Sequence, residues 1–569
     1  MTTPKQVLVV GMGISGLAMA RWCARAGDRV TLIDTREDAA RLAQVQGELP
    51  AVTVRQGPLD LVLGHDAAWS AIYVSPGLSP AHLMPVSVWA EAQGCLIGTE
   101  LDLFVEGLKT HEPAPELPPE MGEETPTGEP ELYIDKTARD DEADEADEAD
   151  DDLDTVAMAV EGELAPDEAL SPIPLTATHS REPKVLAITG TNGKTTVTAL
   201  TQHLLRWSGI HAVAAGNIGT AMLDALMSCL DNGEWPDVWV LELSSFQLAG
   251  SQSFEPTAAT ILNISQDHFD WHGDMAHYVA SKQRIFGALT LRVLNRQDQV
   301  VMGSEPPPPP TFKRGEAPRP FAHWQSFGAD APTRPGDWGL ESTNGLTWLV
   351  RAEAADDVIR QPKKDALPVA VFLQRLMPAD ALRIRGQHNA CNALAALALA
   401  TAAGGNLALM LHALREYPGE PHRVQPVAIL QDVEYIDDSK GTNVGATLAA
   451  LKGLGVERPL VVILGGDGKG QDFAPLCEPI KRYARAVVLI GKDAGLIRQA
   501  LSATGVDCID AGDMNAAVQT AARVARTGDV VLLSPACASL DMYKNYVARA
   551  AAFTDAVQVL ADQQGAVLS

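Results

Sequence analysis

The segment GTNGKTT (190–196) combines two glycines, a lysine and three threonines at a spacing suited to phosphate chemistry. Gly190 and Gly193 let backbone N–H groups approach phosphate oxygens closely, and a helix opening there adds a favourable dipole. Lys194 supplies positive charge, and the Thr195 hydroxyl is of the kind that holds Mg²⁺ in phosphate loops. The usual loop of this type has four residues between its glycines, whereas this one has two, Thr191 and Asn192. Such a loop implies a nucleoside triphosphate, with Thr196 beginning the helix behind it. Two further groups close apolar runs downstream, Glu242 in LELSSFQL and His268 in NISQDHFDWH. In one parallel sheet both strand ends lie beside the loop, where a carboxylate and an imidazole are candidate ligands for Mg²⁺ or Mn²⁺. Histidine is an uncommon partner for Mg²⁺, and a lone loop histidine is usually inert.

A second glycine pattern, Gly11-x-Gly13-x-x-Gly16 in VVGMGISG, directly follows the first apolar run. Asp34 ends the next run, 18 residues beyond Gly16. Alone this is a dinucleotide fingerprint, with pyrophosphate on a helix N-terminus and the acid on a ribose hydroxyl. The physics of the turn selects a diphosphate, however, and any UDP-linked molecule presents one. A tight turn without a ligand is the plain structural alternative.

The elements that must position these groups form three α/β patterns. Residues 1–106 alternate QVLVV, RVTLID and AIYVSPG with helical stretches, which reads as a Rossmann-like parallel sheet. Residues 107–183 collapse into prolines, glutamates and DEADEADEAD, and cannot bury enough apolar surface to order themselves. Residues 184–417 form a central α/β domain of the P-loop ATPase type. It is interrupted by a proline-rich patch at 303–320 and closed by the alanine-rich GQHNACNALAALALATAAGG. From 418 to 569 a third, Rossmann-like pattern runs through VEYIDDSK, PLVVILGGDGKG, AVVLIG and DVVLLSPACAS. In open α/β sheets ligands bind outside the carboxyl ends of strands, so these turns are candidate sites.

Composition excludes several classes. Of the net charge of −29, −21 lies between Glu112 and Glu168, so the acidity belongs to one segment. No basic stripe suggests nucleic acid. No run of about eighteen apolar residues suggests a membrane span. The N-terminus enters a strand without a cleavable leader, and the seven scattered cysteines contain no C-x-x-C pair, so reduced thiols in a cytoplasm are expected.

ELSSFQL, DDSKGTNVGAT, GGDGKGQDF and LSPACASLDMYKNY, together with GTNGKTT, resemble the Mur ligases of peptidoglycan synthesis, most closely the branch that adds D-glutamate. GTNGKTT alone is shared with folylpolyglutamate synthases, whereas the other four segments point to this branch. The resemblance implies an amide ligation between UDP-N-acetylmuramoyl-L-alanine and D-glutamate. The γ-phosphoryl of ATP moves to a carboxylate, giving an acyl phosphate that the incoming amine attacks. Negative charge develops throughout, so cations and N–H donors should surround the reaction.

Carried over residue by residue, the resemblance assigns Lys194, Thr195, Glu242 and His268 to phosphate and metal, with two Mg²⁺ ions expected. Lys282 in YVASKQRIF matches a lysine that the family converts to a carbamate with CO₂, which requires a neutral amine and hence a depressed pKa. On composition alone Lys282 is a solvated helix lysine. Asn389, Asn392, Arg423 and Asp438 match ATP contacts. Asn217 matches a contact to the UDP substrate, as do Ser15, Asp34, Thr35, Arg36 and Gly77. Lys440, Thr442, Lys469 and Ser539 match groups around D-glutamate, a lysine and hydroxyls being suited to a dianion. Tyr546 stands where the family has phenylalanine, and Ala550 replaces a glycine after Arg549, which predicts a helix there. The acidic insertion is the largest departure. A monomer that closes around ATP is expected.

Three other readings compete. A folylpolyglutamate-synthase-like ligase shares GTNGKTT but should lack the UDP-type first domain that VVGMGISG and Asp34 mark. An NAD-dependent oxidoreductase leaves the triphosphate loop unexplained. A nucleotide-regulated scaffold would dock through the acidic segment.

Overall fold

The computed structural model describes residues 4–64, 68–110, 182–309, 320–355 and 370–565. The acidic segment, and residues 310–319 of the proline-rich patch, lie outside the described residues.

Apolar runs become buried strands in three sheets. The N-terminal sheet holds β1 (Gln6–Val10), β2 (Arg29–Asp34), β3 (Thr53–Gln56), β4 (Ala71–Val74) and β5 (Ile97–Gly98). Its order is β3-β2-β1-β4-β5 and every pairing is parallel. The final helix of this region, Glu100–Thr110, runs past the edge at 106 expected from the sequence. It carries on because its apolar face, with Leu101, Phe104 and Leu108, is buried.

The middle sheet contains β6 (Lys184–Thr189), β7 (Ala212–Gly216), β8 (Val238–Glu242), β9 (Ala258–Ile261) and β10 (Leu291–Asn295). It continues through β11 (Trp324–Phe327), β12 (Trp338–Thr343), β13 (Leu346–Ala354) and β14 (Val371–Pro378). The order is β14-β13-β12-β11-β10-β9-β6-β8-β7, with the β12–β14 edge antiparallel. β9, β6 and β8 are adjacent, so the turns after them share one edge. The alanine-rich segment forms the helix Gln387–Ala402, with eleven buried residues, and it ends at Gly404 in a left-handed conformation. Small side chains let it pack against the helix Lys194–Trp207 that follows the phosphate loop.

The C-terminal sheet comprises β15 (Gln425–Leu430), β16 (Val433–Asp437), β17 (Leu460–Gly465), β18 (Ala484–Ile490), β19 (Asp507–Asp510) and β20 (Val530–Leu533). Its order is β15-β16-β20-β17-β18-β19, parallel except at β15. Tyr546–Gln564 is a helix, as the alanine at 550 implied, and Asn545 caps its start.

Candidate active site

The phosphate loop is held from below by β9 and its turn. Asn263 Oδ1 accepts from the Asn192 amide at 2.9 Å, and Asn263 Nδ2 donates to the Asn192 carbonyl at 3.0 Å. Thr191 Oγ1 accepts from the Ser265 amide at 3.0 Å and lies 3.1 Å from the Tyr278 hydroxyl. A ring cluster of Phe246, Trp271, His272 and Tyr278 packs behind this turn. Gly193 takes φ +85°, and a Cβ there would meet Asn392 Oδ1 at 2.8 Å, so the turn needs glycine. The helix Lys194–Trp207 then begins without a side-chain cap, leaving its first N–H groups for an anion.

Four cations converge on the loop. Lys194 Nζ donates to the carbonyls of Gly190 (2.9 Å) and Thr191 (3.0 Å). Lys282 Nζ donates to the same Gly190 carbonyl at 2.9 Å and to Thr189 Oγ1 at 3.4 Å. Arg423 and Lys440 both donate to Thr195 Oγ1, at 3.1 and 3.2 Å. Burial, then the Lys194 charge, drives the Lys282 amine well below the ordinary lysine range. Burial, then Arg423, brings Lys440 down to about 8.

Glu242 is 2% exposed at the end of β8. Asn217 Nδ2 donates to its Oε1 at 2.9 Å, while Oε2 is buried without a hydrogen-bond partner. A buried carboxylate oxygen left open on the same cavity wall as the Thr195 hydroxyl supplies hard oxygen donors of the kind Mg²⁺ uses, the remaining positions falling to phosphate and water. Among the described residues no group of three or more His, Cys, Asp or Glu could hold a metal, so protein side chains alone do not form a cage.

The turns of the C-terminal sheet face this edge across a cavity of about 580 Å³. Its wall includes Thr191, Asn192, Lys194, Thr195, Asn217, Glu242 and His268 from the middle sheet. Arg423, Lys440, Thr442, Lys469 and Tyr546 complete it from the C-terminal side. A smaller cavity of about 90 Å³ is lined by Gly193, Thr196, Asn389, Asn392, Arg423 and Asp438, and Asn192 and Arg423 touch both. Burial pushes the Asp438 carboxyl up to about 7, partly offset by the Ser534 hydroxyl at 2.7 Å and by Arg423.

Several sequence candidates fall elsewhere. Lys282 is 2% exposed and stands behind the loop rather than on the cavity wall. Ser539 is buried, and its neighbour Ala538 forms the wall. Ser15, Asp34, Thr35, Arg36 and Gly77 gather at the carboxyl ends of β1, β2 and β4, outside this cavity. Asp34 Oδ2 accepts from the Met12 amide and Arg36 Nη2, and its Oδ1 from the Arg36 amide and Nε, at 2.8–3.0 Å. Four bonds fill a carboxylate's acceptor positions. A ligand hydroxyl can therefore reach Asp34 only by displacing Arg36, whose side chain is 79% exposed.

The sequence reading did not single out Asp267, Asn443 or Gln471, all on the cavity wall. Arg549, quoted there only as part of an altered ending, is 1% exposed and brackets two site turns by donating to the carbonyls of Cys537 (3.0 Å) and Ser439 (2.9 Å). A polar residue at a helix start, as in TNVGAT, was the available signal for Asn443.

Comparison with known proteins is consistent along the whole chain. Residues 5–97 match the Mur ligase MurD-like N-terminal domain, 188–309 the Mur ligase middle domain, and 422–537 the Mur ligase glutamate ligase domain. The chain is 52% identical to the UDP-N-acetylmuramoylalanine–D-glutamate ligase of Polaromonas sp., over 99% of each. It is 50% identical to the ligase of the same name from Albidiferax ferrireducens, over 99% of this chain and 97% of that one. Against that of Ralstonia nicotianae it is 47% identical over 99% and 98%.

Proposed function

The chain belongs to the Mur ligase family, and from that premise we propose that it joins D-glutamate to UDP-N-acetylmuramoyl-L-alanine, consuming ATP and releasing ADP and phosphate. The observation that carries this reading is one cavity walled by Lys194, Thr195 and Glu242 from one sheet and Lys440, Thr442 and Lys469 from another. A triphosphate loop facing cations and a hydroxyl suits the transfer of a phosphoryl group next to an incoming dianionic amino acid.

In this reading the first N–H groups of the helix Lys194–Trp207, with Lys194, hold the β- and γ-phosphates. Asn389, Asn392, Arg423 and Asp438 take the rest of the nucleotide. Thr195, Glu242 Oε2, His268 and a carbamate on Lys282 would be the protein ligands for Mg²⁺. When bound, Mg²⁺ neutralises phosphate charge and polarises the phosphoryl oxygens. Arg423 and Lys440 must then turn from Thr195 Oγ1 to other acceptors, and the phosphate oxygens of ATP are the acceptors at hand. Lys282 suits carbamate formation because its buried amine shares a carbonyl with a second lysine, which favours the neutral nucleophile. Once acylated, its remaining N–H can still donate to Gly190.

Ser15, Thr35, Arg36, Gly77 and Asn217 serve the UDP-linked acid, with Asp34 ordering the turn around them. Lys440, Thr442, Lys469, Ser539 and Tyr546 serve D-glutamate. The corresponding units are 1–106 for the UDP substrate, 184–417 for ATP and 418–569 for the amino acid. One chain supplies every wall of the cavity, so a monomer suffices. Reduced thiols and ATP argue for the cytoplasm; the seven cysteines are all free. Among the described residues no helix is long and apolar enough to cross a membrane.

The test is phosphate release from ATP in the presence of UDP-N-acetylmuramoyl-L-alanine, comparing D- with L-glutamate. Release driven by D-glutamate alone is expected. Equal release with both, or none with either, would overturn the assignment.

A further inference from the structure

One side chain ties the C-terminal sheet to the phosphate loop. Asn443 opens the helix Val444–Gly455, and its Oδ1 accepts from the Ala446 amide at 2.8 Å. That cap fixes which end of the amide is which: the oxygen is committed to the helix, so the nitrogen must face outward. Nδ2 donates to Asn192 Oδ1 at 3.1 Å and lies 3.5 Å from Asp267 Oδ2. Asn443 is 9% exposed, so the bridge sits largely buried at the cavity wall. Two residues on, Gly445 adds an independent mark of close contact. A Cβ on Gly445 would stand 2.9 Å from Asn192 Nδ2 and 3.0 Å from Ser265 Oγ, tighter than nearly all real Cβ contacts. On its far side the same helix start reaches the turn carrying Lys469, the Val444 amide donating to Gln471 Oε1 at 3.0 Å.

We propose that Asn443 is a positioning residue that latches the C-terminal sheet onto the phosphate loop through Asn192, holding the Lys440 and Lys469 turns in reach of the transferring phosphoryl group. Asn192 is itself fixed by two hydrogen bonds to Asn263. The latch therefore senses loop geometry and passes it to the amino-acid side of the cavity. Its activity readouts rest on the ligase reading above.

Three variants separate latch from cap. Asn443→Ser and Asn443→Asp both retain a good helix cap but lose the outward donor, and the aspartate adds a like charge against Asp267. Asn443→Ala loses cap and donor together. For the ligase reaction, kcat should fall about tenfold in Asn443→Ser and about a hundredfold in Asn443→Asp. KM for D-glutamate should rise in both, while KM for the UDP-linked acid stays within about twofold. Asn443→Ser should leave the melting temperature near wild type, whereas Asn443→Ala should lower it by about 2–4 °C and Asn443→Asp should lower it as well, through repulsion by Asp267. Wild-type kcat and KM in Asn443→Ser would overturn the latch. So would activity losses that merely follow melting temperature across the three variants. If the wild-type chain consumes ATP with neither glutamate, the ligase reading fails, and hydrogen exchange decides the latch by itself. Faster exchange at 192–196 in Asn443→Ser than in wild type, each with ADP, supports it; equal rates overturn it.

Discussion

The middle sheet meets its two neighbours by different means. Toward the N-terminal sheet it shares one continuous apolar cluster, in which Trp22, Phe104 and Leu108 pack among Leu226, Trp239 and Leu241. Phe104 meets Trp239 edge to face with ring centroids 5.1 Å apart. Arg21 pairs bidentately with Asp224 at 2.6 and 2.9 Å, and the buried Glu100 accepts from the Leu223 amide at the start of the helix Met222–Asn232. Toward the C-terminal sheet no apolar cluster crosses among the described residues. The clusters there hold only residues from 424 onward, and the crossings are polar: Arg423 and Lys440 to Thr195, Asn443 to Asn192, and Arg385 to Glu434. Burying apolar surface is non-directional and hard to undo in part, whereas a few hydrogen bonds can be exchanged for bonds to ligand or water. The first boundary is thus a weld and the second a joint, and the proposed chemistry falls in the joint.

A separation of stability from activity follows. The largest effect belongs to Lys282→Ala. Removing this buried side chain leaves the Gly190 carbonyl to Lys194 but takes the donor from Thr189 Oγ1 and opens a small cavity, so stability should fall by about 1–3 kcal/mol, well short of unfolding the chain. Ligase turnover should fall roughly a thousandfold or more, as when a central electrostatic group is removed. Acetate or propionate should restore part of it by standing in for the carbamate. Full turnover without added acid would end the carbamate assignment. At the weld the pattern inverts. Phe104→Ala should lose about 3–5 kcal/mol in chemical denaturation, the usual cost of emptying an aromatic site, while kcat of the folded fraction stays near wild type. A large kcat loss with little lost stability would show that the weld also moves during turnover.

What could be read from sequence follows the range of the forces involved. The three α/β patterns, the phosphate loop and Glu242 were legible because strand burial, tight turns and strand-end positions are imposed by neighbours in the chain. The helix at 546–564 was legible for the same reason, alanine at 550 having removed the case for a turn. Asn443 and Asp267 were not, because Asn443 meets Asn192 and Asp267 across 251 and 176 positions of sequence. Asp34 was legible as an acid closing a strand but not as saturated: its four bonds depend on the rotamer of Arg36 and the path of the Met12 turn. The family resemblance supplied Lys282, which composition alone would have left in solvent and which is in fact 2% exposed. The antiparallel β12–β14 edge was missed, since its strands, 6, 9 and 8 residues long, alternate buried and exposed positions only irregularly.

A smaller effect tests whether the joint pivots. Glu434, 4% exposed, is gripped by Arg385 from the middle region and by Arg458 from its own. Arg385→Ala leaves the carboxylate paired with Arg458, so the stability cost should stay near 1 kcal/mol or below. KM for D-glutamate should shift about two- to fivefold, because the amino-acid side of the cavity loses a tether to the ATP side. No shift in any kinetic constant would mean that the joint is held elsewhere.

The last test is a slope with pH. Burial raises the Asp438 carboxyl to about 7 from the ordinary 3.8, and it raises Glu100 at the weld in the same direction. For an acid whose folded pKa is raised, the folded chain binds the extra proton between the two values. The stabilisation is therefore complete below the unfolded pKa and is lost as pH rises through the folded one. For Asp438 the window runs from about pH 4 to about pH 7, with a limiting loss of ~1.4 kcal/mol per pH unit. Asp438→Asn and Glu100→Gln should each flatten the decline of stability with pH in denaturant titrations at pH 5, 6, 7 and 8. Only Asp438→Asn should also move the pH profile of kcat, because Asp438 borders the smaller cavity and Arg423. A kcat profile shifted by Glu100→Gln would mean that protonation at the weld reaches the chemistry. In that case the two boundaries act as one.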